Sequence, residues 1–170
     1  MTDLDLRPVA SPSDLEVLAW LWQCFRHDLA GVVHGRPYAD GRYSVVGLPT
    51  AVTDDVAAYL LHEPHPNGAV PAPVGFVVLA DLDSPPVDVA AAWVSPVLRG
   101  SGTGAAMVTA ALRLHPGPWT VAWQHENPEA GRFWRRLADG LMGPGAWHEE
   151  RLAVPRPGAP DDHRLAPTRR

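Results

Sequence analysis

VDVAAAWVSPVLRGSGTGA, residues Val87 to Ala105, is the stretch on which the fold turns. A β-branched, apolar run to Val94 is followed by Ser95-Pro96, then Arg99-Gly100-Ser101-Gly102-Thr103-Gly104, then an apolar run from Ala105 to Leu112. The order is strand, glycine-rich loop, helix. Glycines let the backbone turn its N–H groups inward with no Cβ in the way. The free amides and positive end of the following helix make an anion site, most often for phosphate.

Downstream, Trp119 to Gln124 reads as a short strand, and Asn127-Pro128-Glu129-Ala130-Gly131-Arg132-Phe133-Trp134 opens another helix. Asn before Pro is good helix-start chemistry, the Asn capping and the Pro occupying the first helical position. Arg99, Gly102 and Gly104 fit the acyl-CoA loop signature of the GCN5-related N-acetyltransferases (GNAT), and Asn127, Ala130, Phe133 and Trp134 fit that family's second signature. The two motifs lie in the family's order, and the chain resembles that family through them.

Composition bounds the rest. The chain has 170 residues, 46% hydrophobic and 19% charged, within the range of one globular domain. Its formal charge of −5 and pI near 5.8 argue against a nucleic-acid-binding face and are compatible with an amine substrate. All 14 basic residues are Arg, which we read as base composition rather than mechanism. The single Cys24 excludes an internal disulfide and reads as a small packed hydrophobe on a helix. No apolar leader or long apolar run is present, so the expectation is a cytoplasmic protein with no membrane partner. His62 and His65 stand in a Pro-rich turn without supporting ligands, and no metal is expected.

The expected layout is a single α/β domain over residues 1–154, with a mixed, mostly antiparallel central sheet flanked by helices, and an extended Pro- and Arg-containing tail over 155–170. Leu4 to Ala10 alternates as a first strand. Ser13-Asp14-Leu15-Glu16 reads as a capping box for a helix with an apolar stripe at Leu15, Leu18, Trp22, Phe25 and Leu29. Thr53 is expected to cap a short helix to about His62, with a stunted edge strand near Ala69-Val70. Val74–Leu79 and Val87–Val94 read as a hairpin joined by 81–86, and Trp147–Val154 as the final strand.

The resemblance implies acetyl-CoA as co-substrate, direct attack of an amine in a ternary complex, and a small-molecule or peptide amine as acceptor; it admits a homodimer. It implies that Val94, Arg99, Gly100, Ser101, Gly102, Thr103 and Gly104 line the cofactor, with Asn127, Phe133 and Trp134 beside the pantetheine arm. Many relatives carry Tyr where Trp134 stands, as the acid that protonates the thiolate. Indole has no such proton, so the acid is unassigned. For the general base, Asp88 lies at the family's offset from Arg99, and strand alternation groups it with Ala90, Ala92 and Val94. His125 and Glu126, past the next strand, are alternatives. Of Trp20 and Trp22, one is expected to line a substrate cleft. Tyr38, Tyr43, Asp40 and Asp28 are candidates to meet a cationic amine.

Two other readings exist. Without a base or acid the chain is an acyl-CoA-binding module that lacks transfer chemistry. Gly100, Gly102 and Ala105 also match a dinucleotide fingerprint with Glu126 at ribose distance, the mark of a dinucleotide-binding oxidoreductase. The Ser95-Pro96 segment lengthens the turn that such a fold keeps tight, and the reading leaves Asn127–Trp134 unexplained.

Overall fold

The computed structural model describes residues 4–68, 70–154 and 161–168. In chain order the elements are β1 (Asp5–Pro8), α1 (Pro12–Val33), β2 (Ala57–Glu63), β3 (Ala72–Ala80), β4 (Val87–Val94), a 3-10 turn (Pro96–Leu98), α2 (Thr103–Leu114), β5 (Trp119–Gln124), α3 (Pro128–Leu141), β6 (Trp147–Leu152) and β7 (Asp162–Pro167). They form one seven-stranded sheet in the order β1-β2-β3-β4-β5-β7-β6. Its neighbouring strands run antiparallel except β4 and β5, which run parallel. The mixed, mostly antiparallel α/β architecture is the expected one.

Each face of the sheet carries its own core. On one face α2 and α3 pack over Leu61, Val77, Val87, Val89, Val121 and Leu165. On the other, Leu18 and Trp22 of α1 pack over Leu60, Phe76, Val78 and Ala91. Strand alternation explains the split: odd and even residues of β2 and β3 go to opposite cores.

Several expectations are corrected. The helix expected from Thr53 to His62 is β2, because Ala57–Leu61 are all buried and a continuous apolar run in a sheet covered on both faces carries no period-two signal. Val70 lies outside any strand, and Ala69 falls outside the described residues. The cap of α1 is Ser11 rather than Ser13: its hydroxyl accepts from the Asp14 amide while Asp14 accepts from the Ser11 amide, with Pro12 starting the helix. The strand expected over Trp147–Val154 stops at Leu152 and is not the last, and of the residues expected as a tail, Asp162–Pro167 form a strand, while 155–160 and 169–170 lie outside the described residues. Asp162–Pro167 enters the sheet between β5 and β6, pairing with β6 along its length and with β5 over Asp162–Leu165. Among the described residues no helix is long and apolar enough to cross a membrane.

Candidate active site

Two irregularities of β4 build the site. First, its register against β3 slips at Ala90: Val78 faces Ala91 whereas Leu79 faces Val89, so Ala90 is a bulge. The bulge overturns the simple alternation. Val87 and Val89 belong to the α2/α3 core, Ala91 and Trp93 to the α1 side, and Ala92 and Val94 to the α2/α3 side again. Asp88 therefore points to the α1 side, not to the side of Ala92 and Val94. Second, β4 pairs with β5 only at Val87↔Trp119 and Asp88↔Thr120, and beyond that the strands part. Ser95 donates its amide to Val74 on β3. By backbone alternation Trp93 also faces β3, so the N–H groups of Ala92 and Val94 face the gap.

The glycine loop closes the upper end of that gap. Gly100 and Gly102 have φ of 80° and 91°, a region that side chains disfavour, and a Cβ at either would project into open space. Gly102 caps α2 with no side chain of its own; the Thr103 amide donates to the Ser101 hydroxyl at 3.3 Å, and the Gly104 and Ala105 amides of the first turn are left for an anion. The hydroxyls of Ser101 and Thr103 are spent inside the loop, 2.8 Å from each other, with Ser101 also donating to the Leu98 carbonyl. A cavity of about 550 Å³ runs from this loop along α3, bounded by Val94, Arg99, Gly104, Phe133 and Arg136. It continues into one of about 250 Å³ between the end of β4 and α3, walled by Trp93, Met107, Asn127, Phe133 and Trp134.

Asn127 caps α3 by accepting from the Ala130 amide at 3.1 Å. Trp134 is 7% exposed and packs edge-on to Phe133 at 4.7 Å between ring centres. The candidate bases separate by face. Burial, with repulsion from Asp81, pushes the Asp88 carboxyl above its ordinary value against the pull of Arg164. His125 lies on the α3 side, in a chain that sequence reasoning missed. His125 Nδ1 is 2.7 Å from His163 Nε2, His163 Nδ1 is 2.5 Å from Glu149 Oε1, and Arg135 holds Glu149 with two hydrogen bonds. Arg135 also covers the Trp123 ring, on which His163 stacks. Glu126 is exposed in the turn.

A third cavity, about 540 Å³, lies on the α1 side and meets the second at Trp93. Trp20, Cys24, Asp28, Tyr43, Trp93 and Pro96 form its walls. Trp20, 75% exposed, is the tryptophan of the α1 pair that faces the cleft, whereas Trp22, 3% exposed, is core. Cys24 is exposed rather than packed inside. Tyr38 and Asp40 are not among the residues lining this cavity. Among the described residues no cluster suited to a metal ion occurs.

No family profile and no curated protein matches this chain. Solved structures do. Arabidopsis thaliana NAA60 in complex with acetyl-CoA superposes with a TM-score of 0.62 at 17% identity, over 96% of this chain and 97% of that one. A spermidine N-acetyltransferase, a SpeG chimera from Vibrio cholerae and hSSAT, gives 0.58 at 15%, over 97% and 94%. At such identities the likeness is one of fold. The chain has the fold of the GNAT acetyltransferases.

Proposed function

We propose that the chain is an acetyl-CoA-dependent N-acetyltransferase, working as a soluble cytoplasmic enzyme. The observation that carries this reading is the parting of β4 from β5 directly below a glycine-turned helix start. The pyrophosphate of CoA fits against the amides around Gly100–Gly104, and the pantetheine arm fits the trough past Val94, Phe133 and Trp134. The amine attacks the thioester carbonyl carbon, the new C–N bond forms, and the carbonyl electron pair moves onto oxygen. The Ala92 and Val94 amides face that oxygen as donors. Collapse breaks the C–S bond, and the thiolate takes its proton from water, since the Trp134 indole has none to give. Holding both reactants in one geometry supplies most of the acceleration.

The amine's proton goes to Asp88 in this reading. Asp88 shares the α1 side with the third cavity, whereas His125 lies on the α3 side, behind β5. Four residues of strand, about 13 Å, separate Asp88 from Ala92, so water carries the proton between them. A raised carboxyl is better matched to that task than an ordinary one.

The test is calorimetric titration with acetyl-CoA, followed by thiol release over a panel of amines. Binding with turnover supports the enzyme. Binding without turnover assigns the chain to acyl-CoA-binding modules, a reading that the buried Trp134 favours. No binding removes both.

A further inference from the structure

The acceptor cavity carries aromatic walls and no unpaired negative charge, and this decides what it takes. Both charged side chains that line it, Asp28 and Arg42, are already paired. Asp28 receives the Trp93 indole N–H at 2.8 Å and forms an ion pair with Arg99. Burial alone would raise the Asp28 carboxyl, but the hydrogen bonds from Trp93 and Arg99 outweigh it and hold the group below its ordinary value. Gln23 is held by the Tyr43 backbone, donating to its carbonyl at 3.2 Å and accepting from its amide at 2.6 Å. His27 Nδ1 lies 3.3 Å from the Tyr43 hydroxyl. Arg42 is held by Asp40, 2.8 Å away and outside the cavity lining. The cationic-amine role expected for Asp28 and Asp40 is thus already filled by the protein's own arginines.

What remains for a ligand, beside the exposed Cys24 thiol, is chiefly ring surface: Trp20 from α1, Tyr43 from the loop and Trp93 from β4. We infer that this cavity binds the acceptor as a small aromatic primary amine, its ring between Trp20 and Tyr43 and its amine directed past Trp93 toward the β4–β5 gap. The inference rests on the N-acetyltransferase reading above. A polyamine would leave its second ammonium beside the Arg99 and Arg42 guanidinium groups with no carboxylate of its own, a cost that a neutral ring avoids. The cavity volume suits a ring of one or two cycles with a short arm.

The test compares tryptamine, 2-phenylethylamine, n-hexylamine and spermidine as acceptors at fixed acetyl-CoA. The arylalkylamines are expected to exceed both others by about tenfold in kcat/KM, the scale of one or two well-made ring contacts. Trp20→Ala should erase that advantage through KM, with acetyl-CoA affinity unchanged. Saturation-transfer NMR on the acetyl-CoA-loaded protein reads amine binding independently of turnover. A preference for spermidine, equal use of n-hexylamine, or a Trp20→Ala variant that binds tryptamine as wild type does would overturn the aromatic assignment. Failure of acetyl-CoA itself to bind would instead overturn the functional reading.

Discussion

Arg99 reaches from the glycine loop to Asp28 in the second half of α1, an ion pair across 71 residues of sequence. The same guanidinium donates to the Val94 carbonyl at 3.3 Å, so one side chain ties the loop to the end of β4 and to the acceptor cavity. The phosphate end of the site and its acceptor end are therefore mechanically joined.

Arg99→Gln should release the Asp28 carboxylate into the acceptor cavity. Both partners are partly exposed, so the pair contributes only about 1 kcal/mol, and folding should hold. The expected result is a roughly fivefold shift of kcat/KM toward spermidine relative to tryptamine, measured by thiol release. An unchanged ratio would mean that Asp28 does not face the acceptor.

Gly102→Asp should abolish CoA binding. The residue sits at φ 91° with nothing near its missing Cβ, so the side chain would be strained and its carboxylate would occupy the phosphate position. Calorimetry giving an affinity within about twofold of wild type would discredit the anion-site assignment.

Asp88→Asn should lower turnover by roughly 10²–10⁴ while sparing CoA affinity. It also makes a stability prediction of definite sign. The folded carboxyl lies above its unfolded value because burial disfavours the charge, so ionising it costs stability. Wild type should gain stability as pH falls through the range between those two values. Asp88→Asn should lack that gain and be at least as stable at neutral pH, as urea titrations at several pH values would show.

Glu149 gives the opposite sign. Hydrogen bonds from Arg135, and secondarily from His163, hold its carboxyl below the ordinary 4.5. Its contribution is complete above the unfolded value and disappears as pH falls through the lower folded one. Glu149→Gln should therefore be less stable than wild type near neutrality, and the gap in melting temperature should close in acid. A gap independent of pH would show that the loss is one of packing rather than charge.

Leu165, fully buried at the centre of β7, anchors that strand to the α2/α3 core. Leu165→Ala should cost about 2–5 kcal/mol in chemical denaturation, as for other core leucines. A cost below about 1 kcal/mol would mean the strand is dispensable.

The glycine loop was legible in the sequence because its chemistry is local: Gly100 and Gly102 stand where the backbone must turn, and an apolar helix follows directly. The Asn127–Trp134 segment was legible for the same reason. The bulge at Ala90 was not, since it arises from how β3 pairs with β4, and it moved Asp88 to the other face. β2 is not legible as a strand because Ala57–Leu61 is buried on both sides and carries no alternation. β7 was missed because prolines precede it and only Leu165 is fully buried within it. The acceptor cavity draws on α1, residues 41–43 and Trp93, segments that nothing in the sequence links. The His125–His163–Glu149 chain was hidden for want of β7.

The position of β7 also governs when this sheet can be completed. Among the described residues β5 holds β4 at two register positions, and β6 stands at the sheet edge with β7 as its neighbour. As the chain leaves the ribosome, its amino-terminal half can pair and pack first, with the glycine loop already shaped. Both β5 and β6 must then wait with bare edges, open to pairing with other chains, until residues 162–167 emerge and slide between them. Birth and function are thus separated in time, and a nascent chain stalled short of Asp162 would be a danger to its neighbours before it was of use to the cell.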